Sequence, residues 1–402
     1  GGYPALLLSR LGTIQALKGK IEMSGKNRLR DGLIVIQFGI AILLISGTLV
    51  LNNQLEFMRS KDLGFNKDQV VAFALNGKRE DAQAMQLIRD ELSGDLGIIS
   101  ITASNNILGL GKDGSRSTSV VGFEYKGREV LTNILMVDYD YIETLGLDLS
   151  RGRSFDRNFA TDSLAVVINE TMASQLQEES ALNTKIDLEE SGSFNVVGVI
   201  RDYHFQDLDK EIEPLTLFLK PNWNMRYAYV KVAPQNAVSS FEKIEAAWKK
   251  IEPNATFTGS FLDENIERTL RRERTMTTLI TSGSVIAIIL SCIGLFAMSM
   301  LLVSQRRKEI GIRKVIGASV GKITLLLTSD FLKLVGIAFL IATPISWYLS
   351  STWLENYALR IDLSLWVFIS AGIIALLIAI VTISFKTINA ATANPVKSLK
   401  TE

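Results

Sequence analysis

The sequence has 402 residues, a hydrophobic fraction of 47%, and 43 Lys and Arg against 42 Asp and Glu, for a formal net charge of +1. A charge so evenly balanced gives no overall electrostatic footprint for nucleic acid, which would need a clustered basic face. With one cysteine, Cys292, and one histidine, His204, the chain can form no internal disulfide and supplies no conventional Cys/His zinc site.

In chain order, residues 1–31 are a basic segment with no initiating methionine and no cleavable signal pattern, read as a cytoplasmic piece of a longer protein. Gly32–Leu51 is uncharged and apolar, and a hydrocarbon layer about 30 Å thick needs roughly 20 such residues in helix. Residues 32–51, 275–305, 323–354 and 363–385 are thus the expected membrane helices, with Leu334–Leu354 the uncharged part of the third. Buried helices of a soluble protein would instead show shorter runs broken by polar faces. Lys and Arg concentrate in residues 1–31, in the 306–322 linker and after residue 385, whereas the outer loop 355–362 has only Arg360. This asymmetry places both termini and the 306–322 loop in the cytoplasm. One flank disagrees: Arg268, Arg271, Arg272 and Arg274 precede the second span, interleaved with Glu264, Glu267 and Glu273 like a charged helix surface. Asp330 and Lys333, three apart near the inner end of the third span, read as a structural pair.

Residues 52–274 are expected to form an extracytoplasmic α+β domain. Strands are predicted at Val70–Leu75, Ile98–Ala103, Ser119–Tyr125, Val130–Val137, Ala165–Asn169, Phe194–Ile200 and Ala228–Val232. Helices are predicted at Glu80–Leu92, Tyr139–Leu145, Glu170–Leu176 and Val238–Ile251, with a glycine-rich loop at Gly109–Gly114. Leu51, Leu55 and Met58 at one end, and Leu262, Ile266 and Leu270 at the other, have helical spacing. They are expected to continue the first two spans as a stalk, the alternative being ordinary surface helices.

Signs of catalysis are missing from the pattern. Gly317-Ala-Ser-Val-Gly321-Lys322-Ile323 falls one spacer short of a phosphate-binding loop and has isoleucine where the Mg²⁺-binding hydroxyl belongs. His204, directly after a strand, reads as structural, because no nucleophile motif accompanies it. No catalytic, cofactor-binding or metal-binding residue is expected.

The most informative segment is Gln305-Arg-Arg-Lys-Glu309-Ile-Gly-Ile-Arg313-Lys-Val-Ile-Gly317-Ala-Ser319. Ile310, Ile312, Val315 and Ile316 give a short helix an apolar face opposite a basic one. It reads either as a membrane-surface helix held by anionic lipid or as a docking helix for a cytoplasmic partner. The run resembles the signature between the second and third spans of FtsX-like, MacB-type ABC permeases. The resemblance implies that Glu309, Ile310, Gly311, Ile312, Arg313, Lys314, Ile316, Gly317 and Ala318 form a coupling loop for an ATPase. It also implies that residues 52–274 are a MacB-like periplasmic core domain. Val137–Gly146, Arg151–Phe155, Val166–Glu170 and Val197–Phe205 look like segments recurring there, and Asn394–Lys400 is similar to the family's C-terminal tail.

The resemblance further implies a permease subunit in the bacterial cytoplasmic membrane that exports or releases a substrate and has no ATPase of its own. ATP and Mg²⁺ would be bound by a cytoplasmic ABC ATPase partner. Further expected partners are a second permease module, membrane lipid and periplasmic or outer-membrane proteins. Thr13–Lys18 faintly echoes Pro395–Lys400, so residues 1–25 are expected to end a preceding copy of the module in a tandem, eight-span protein. Two rival readings stand beside this one: an FtsX-type regulator of cell-wall hydrolases, and a membrane-anchored sensor that works without an ATPase.

Overall fold

The computed structural model describes residues 28–115, 119–188, 192–221, 225–305, 312–313, 316 and 318–392. The described residues fall into two compact units: a helical one (within 28–50, 278–351 and 363–392) and a strand-rich one (within 51–277 and 352–362).

The helical unit is built from α1 (Arg28–Ser60), α7 (Arg271–Gln305), α8 (Val320–Leu354) and α9 (Leu365–Thr392). By length and composition these four helices can cross a membrane. At 1.5 Å per residue, the 33 residues of α1 extend about 50 Å, well beyond a hydrocarbon layer. Residues four apart (Ile34, Phe38 and Ile42) present one face of α1 to the unit's core. Ala338 and Ala342 of α8, and Ala375 and Ala379 of α9, are buried in the same core. Small residues at such spacing let helices approach closely where lipid offers no hydrophobic driving force. Hydrogen bonds add to this: Ser46 Oγ lies 2.6 Å from Ser346 Oγ, Thr48 Oγ1 lies 2.9 Å from Ser284 Oγ, and Gln37 Nε2 donates to Leu290 O at 2.6 Å. Gly294 gives Gln37 its room, since a Cβ there would lie 2.7 Å from Gln37 Oε1. Lys333 Nζ and Asp330 Oδ1 are 3.4 Å apart on an exposed face of α8, the pair that their spacing predicts.

The other unit holds an 11-stranded sheet of order β11-β1-β10-β2-β4-β9-β6-β8-β5, with β3 beside β4 and β7 beside β8. The strands are β1 (Val70–Ala74), β2 (Ile98–Ser104), β3 (Ser119–Tyr125), β4 (Arg128–Val137), β5 (Leu149–Gly152), β6 (Ala165–Asn169), β7 (Lys185–Leu188), β8 (Gly192–Ile200), β9 (Leu215–Leu219), β10 (Tyr227–Val232) and β11 (Ser260–Phe261). The helices are α2 (Asp81–Leu92), α3 (Tyr141–Leu145), α4 (Glu170–Leu176), α5 (Ala237–Ile251) and α6 (Leu262–Thr269). In the first half, β10 pairs antiparallel with both β1 and β2, and α2 and α5 cover one face with Trp248 fully buried against Phe73. In the second half, β9 runs parallel to β4 and antiparallel to β6, and β6 runs parallel to β8. One register pair, Ser104↔Val137, joins β2 to β4 and hence the two halves. Lys126 and Gly127, both at positive φ, form the two-residue turn between β3 and β4 that matches strand twist.

Ser119–Tyr125, Ala165–Asn169 and Glu170–Leu176 take their expected limits. The helix expected from Tyr139 begins at Tyr141, because Asp140 sits in the left-handed region (φ 63°), which a right-handed helix cannot include. Strands β5, β7, β9 and β11 are absent from the sequence expectations. The most important is β9, Leu215-Thr-Leu-Phe-Leu219, buried at every residue and central to the sheet. It is a five-residue run, apolar except for Thr216, and the prolines at 214 and 221 that flank it are the signal that could have marked it.

Candidate functional site where the chain enters and leaves the domain

Of the coupling residues expected from the sequence, Ile312, Arg313, Ile316 and Ala318 are described, and Glu309, Ile310, Gly311, Lys314 and Gly317 lie outside the described residues. The Ile316 amide donates to Ile312 O at 3.1 Å and the Ala318 amide to Arg313 O at 2.9 Å. The second bond spans five residues, as at a helix C-terminus. Ile312 and Ile316 are 52% and 79% exposed. Arg313 is exposed beside them.

Around the strand-rich unit, the residues expected to form a stalk are core residues. Leu55 and Met58 of α1, together with Leu262, Ile266 and Leu270, are buried in one cluster with Tyr141, Tyr203 and Tyr229. The expected continuation before the second span consists of two helices. Leu270 leaves helical geometry (φ −82°, ψ 4°), so α6 ends and α7 starts at once, with the Arg274 amide bonded to Leu270 O. Two of the interleaved carboxylates of this flank are paired. Arg59 reaches both carboxylate oxygens of Glu267 at 2.8 Å, and Arg268 contacts Glu264 at 3.1 Å. Arg268 also donates to Leu110 O and Ser260 Oγ, pinning the glycine-rich loop onto α6. Gly109 (φ 73°) is needed there, since a Cβ would come within 2.9 Å of the Asn265 backbone.

The segment between α8 and α9 is the feature the sequence reading missed. Residues 355–362, expected as a short outer loop, are part of the strand-rich unit, which takes in residues 352–362. Gln54 of α1, 1% exposed, donates from Nε2 to Leu359 O at 2.6 Å and accepts the Ile361 amide at Oε1 at 3.0 Å. A single side-chain amide thus satisfies both main-chain groups, as a neighbouring strand would. The Ala358 amide donates to Asp209 O at 2.9 Å. Tyr357 is buried against Trp353, ring centroids 4.8 Å apart, and its hydroxyl donates to Glu273 Oε1 at 3.4 Å. Burial, and then the nearby Glu273 carboxylate, push the Tyr357 phenol up to about 12. Beside it lies a cavity of about 120 Å³ lined by Met58, Leu208, Asp209, Leu270, Arg272 and Glu273. A lone glutamine in helix spacing and an aromatic in a short loop are faint signals, because the contact spans 305 residues of sequence.

His204 sits after β8 with its amide bonded to Leu63 O at 2.9 Å. Burial, reinforced by Lys61, holds its pKa below the ordinary histidine value, so the ring is neutral at pH 7. Among the described residues, no group of three or more His, Cys, Asp or Glu is arranged to hold a metal.

Comparison with known proteins agrees with this architecture. The model of the MacB-like periplasmic core domain matches residues 34–247, and that of the FtsX-like permease C-terminal region matches residues 281–395. A macrolide export ATP-binding/permease protein MacB from Neisseria meningitidis serogroup A is 26% identical over 214 residues, half of this chain and 32% of the relative. The MacB of Acinetobacter baylyi is 24% identical over 204 residues, 48% of this chain and 31% of the relative. The match therefore spans about a third of the length of these relatives. The crystal structure of the periplasmic region of MacB from Actinobacillus actinomycetemcomitans aligns with 53% of this chain and 97% of its own, at 15% identity and a TM-score of 0.39. With its core-domain match covering more than half of the residues and the C-terminal match following in order, the chain belongs to the FtsX-like, MacB-type family of ABC transporter permeases.

Proposed function

We propose that the protein is the membrane subunit of a bacterial export or release system, driven by a separate ATPase that acts through the 306–322 loop. In this reading both termini and that loop are cytoplasmic, residues 52–274 are periplasmic, and ATP and Mg²⁺ are bound by the partner. A second permease module, in the same chain or another, completes the membrane part. The observation that carries the reading is helical continuity: α1 runs unbroken from Arg28 to Ser60, its last turns lying in the domain core. On the other side, only Leu270 separates α6 from α7. Movement applied to these helices changes the packing of the domain directly, so two states biased by nucleotide would differ there. The named activity of the relatives makes a macrolide-like amphiphile the first substrate to try.

The test is purification of the full-length protein in detergent with an ABC ATPase subunit. Arg313→Glu with Lys314→Glu should abolish co-purification while membrane insertion persists. Retained association would contradict the loop assignment, and a wild type that captures no ATPase would favour the sensor reading. Activation of a cell-wall hydrolase without any transport would favour the FtsX-type regulator.

A further inference from the structure

We infer that residues 353–361 are a strap: a third mechanical attachment to the domain, besides α1 and α7, by which α8 and α9 also report to it. The inference rests on the permease reading for its direction of signal, and on the geometry for its anchor points. α8 ends at Leu354 and α9 begins at Leu365, so whatever holds 353–361 constrains the ends of both helices. It is held at three points. Gln54 takes the main chain of Leu359 and Ile361 with both ends of its amide. Asp209 O takes the Ala358 amide, and Tyr357 buries its ring with its hydroxyl on Glu273.

These anchors belong to different parts of the domain: Gln54 to α1, Asp209 to the segment before β9, and Glu273 to the start of α7. The strap therefore ties together the two helices that carry the domain and the segment that leads into β9. Its recognition is mostly main-chain, so it depends on the path of the segment and little on its side chains, apart from Tyr357. Gln54 is the key group. In an apolar setting its amide would be costly unless paired, and the strap supplies both partners. Displacing the strap leaves that buried amide and two main-chain groups unpaired, which makes the attachment two-state in character.

The experiment compares wild type, Gln54→Met and Gln54→Glu in the full chain, reconstituted in lipid nanodiscs with its ATPase. Gln54→Met keeps length and apolar packing but removes both hydrogen bonds. Gln54→Glu keeps the acceptor for the Ile361 amide and loses the donor, so one variant remains informative if the other fails to fold. Two quantities are measured: amide exchange at Ala358 and Ile361, and the difference that ATP makes to exchange across 52–274. We expect Gln54→Met to speed Ile361 exchange about tenfold, the effect of losing one hydrogen bond, with Gln54→Glu in between. ATPase binding and hydrolysis should persist, while the ATP-dependent difference in the domain falls to less than half. Unchanged exchange at Ile361 would overturn the anchor, and a released strap with a full domain response would overturn its role. A wild-type complex that hydrolyses ATP but shows no domain response would refute the permease reading, and the strap as transmitter with it. Loss of response in the variants alone separates the two claims.

Discussion

The two units of this chain are held together by different means. In the strand-rich unit, large side chains fill the interior: Trp248, Tyr141, Tyr203, Tyr229 and Phe73 are all at most 1% exposed. In the helical unit, Ile34, Phe38, Ile42 and Phe331 pack against the small residues Ala338, Ala342, Ala375 and Ala379, joined by a few hydrogen bonds such as Ser46–Ser346. Water drives the first kind of packing by expelling apolar surface. Lipid offers no such drive, so close approach and polar pairs must do the work. The comparison teaches where size is limiting: truncating a large buried ring harms the domain, and enlarging a residue at the small-residue contacts harms the helices.

The largest effect belongs to the domain. Trp248→Ala should destabilise it by about 3–5 kcal/mol, read as a lowered unfolding midpoint, because the cavity beside Phe73 has no means of collapse. In the helical unit, Ala379→Leu should cost about 1–3 kcal/mol by overpacking, and Ala379→Gly about 0.5–1 kcal/mol through backbone freedom alone. An Ala379→Leu variant as stable as wild type in detergent would undo the contrast. Ser46→Ala should cost only about 0.6 kcal/mol, with Ser346→Ala adding little to it in a double-mutant cycle. The smallest effect is a pH dependence of the domain. His204 has a folded pKa lowered from 6.5 by burial and Lys61, so its contribution is present above about 6.5 and is lost as pH falls below that value. His204→Gln should flatten the thermal midpoint between pH 7 and pH 5; an unchanged slope would show that other groups set it.

Much of this was legible in the sequence, for reasons that differ by element. The four long apolar runs are read by length alone, and β6 is an uninterrupted Ala165-Val-Val-Ile-Asn169 stretch leading straight into α4. The start of α3 was misread because Asp140 looks compatible with a helix, and only its left-handed backbone excludes it. Strand β9 is hard to see in sequence because a five-residue strand in a short stretch between two prolines is too short to show a clear period, although its neighbours in the fold bury all of it. The strap was out of reach for a deeper reason. Gln54 and Leu359 meet only after the whole domain has folded between them, and main-chain recognition leaves no side-chain motif to find. The segment proposed to couple to an ATPase is the reverse case, conspicuous in sequence, with Ile312, Arg313, Ile316 and Ala318 as its described part.

The account turns on whether nucleotide at the cytoplasmic partner is felt in the domain. The direct measurement is amide exchange at Leu262–Leu270 in the wild-type complex in nanodiscs, with and without ATP. The account predicts that ATP changes protection at Ile266 and Leu270, where α6 gives way to α7 inside the core. Exchange there that is indifferent to nucleotide, in a complex that hydrolyses it, would contradict the account.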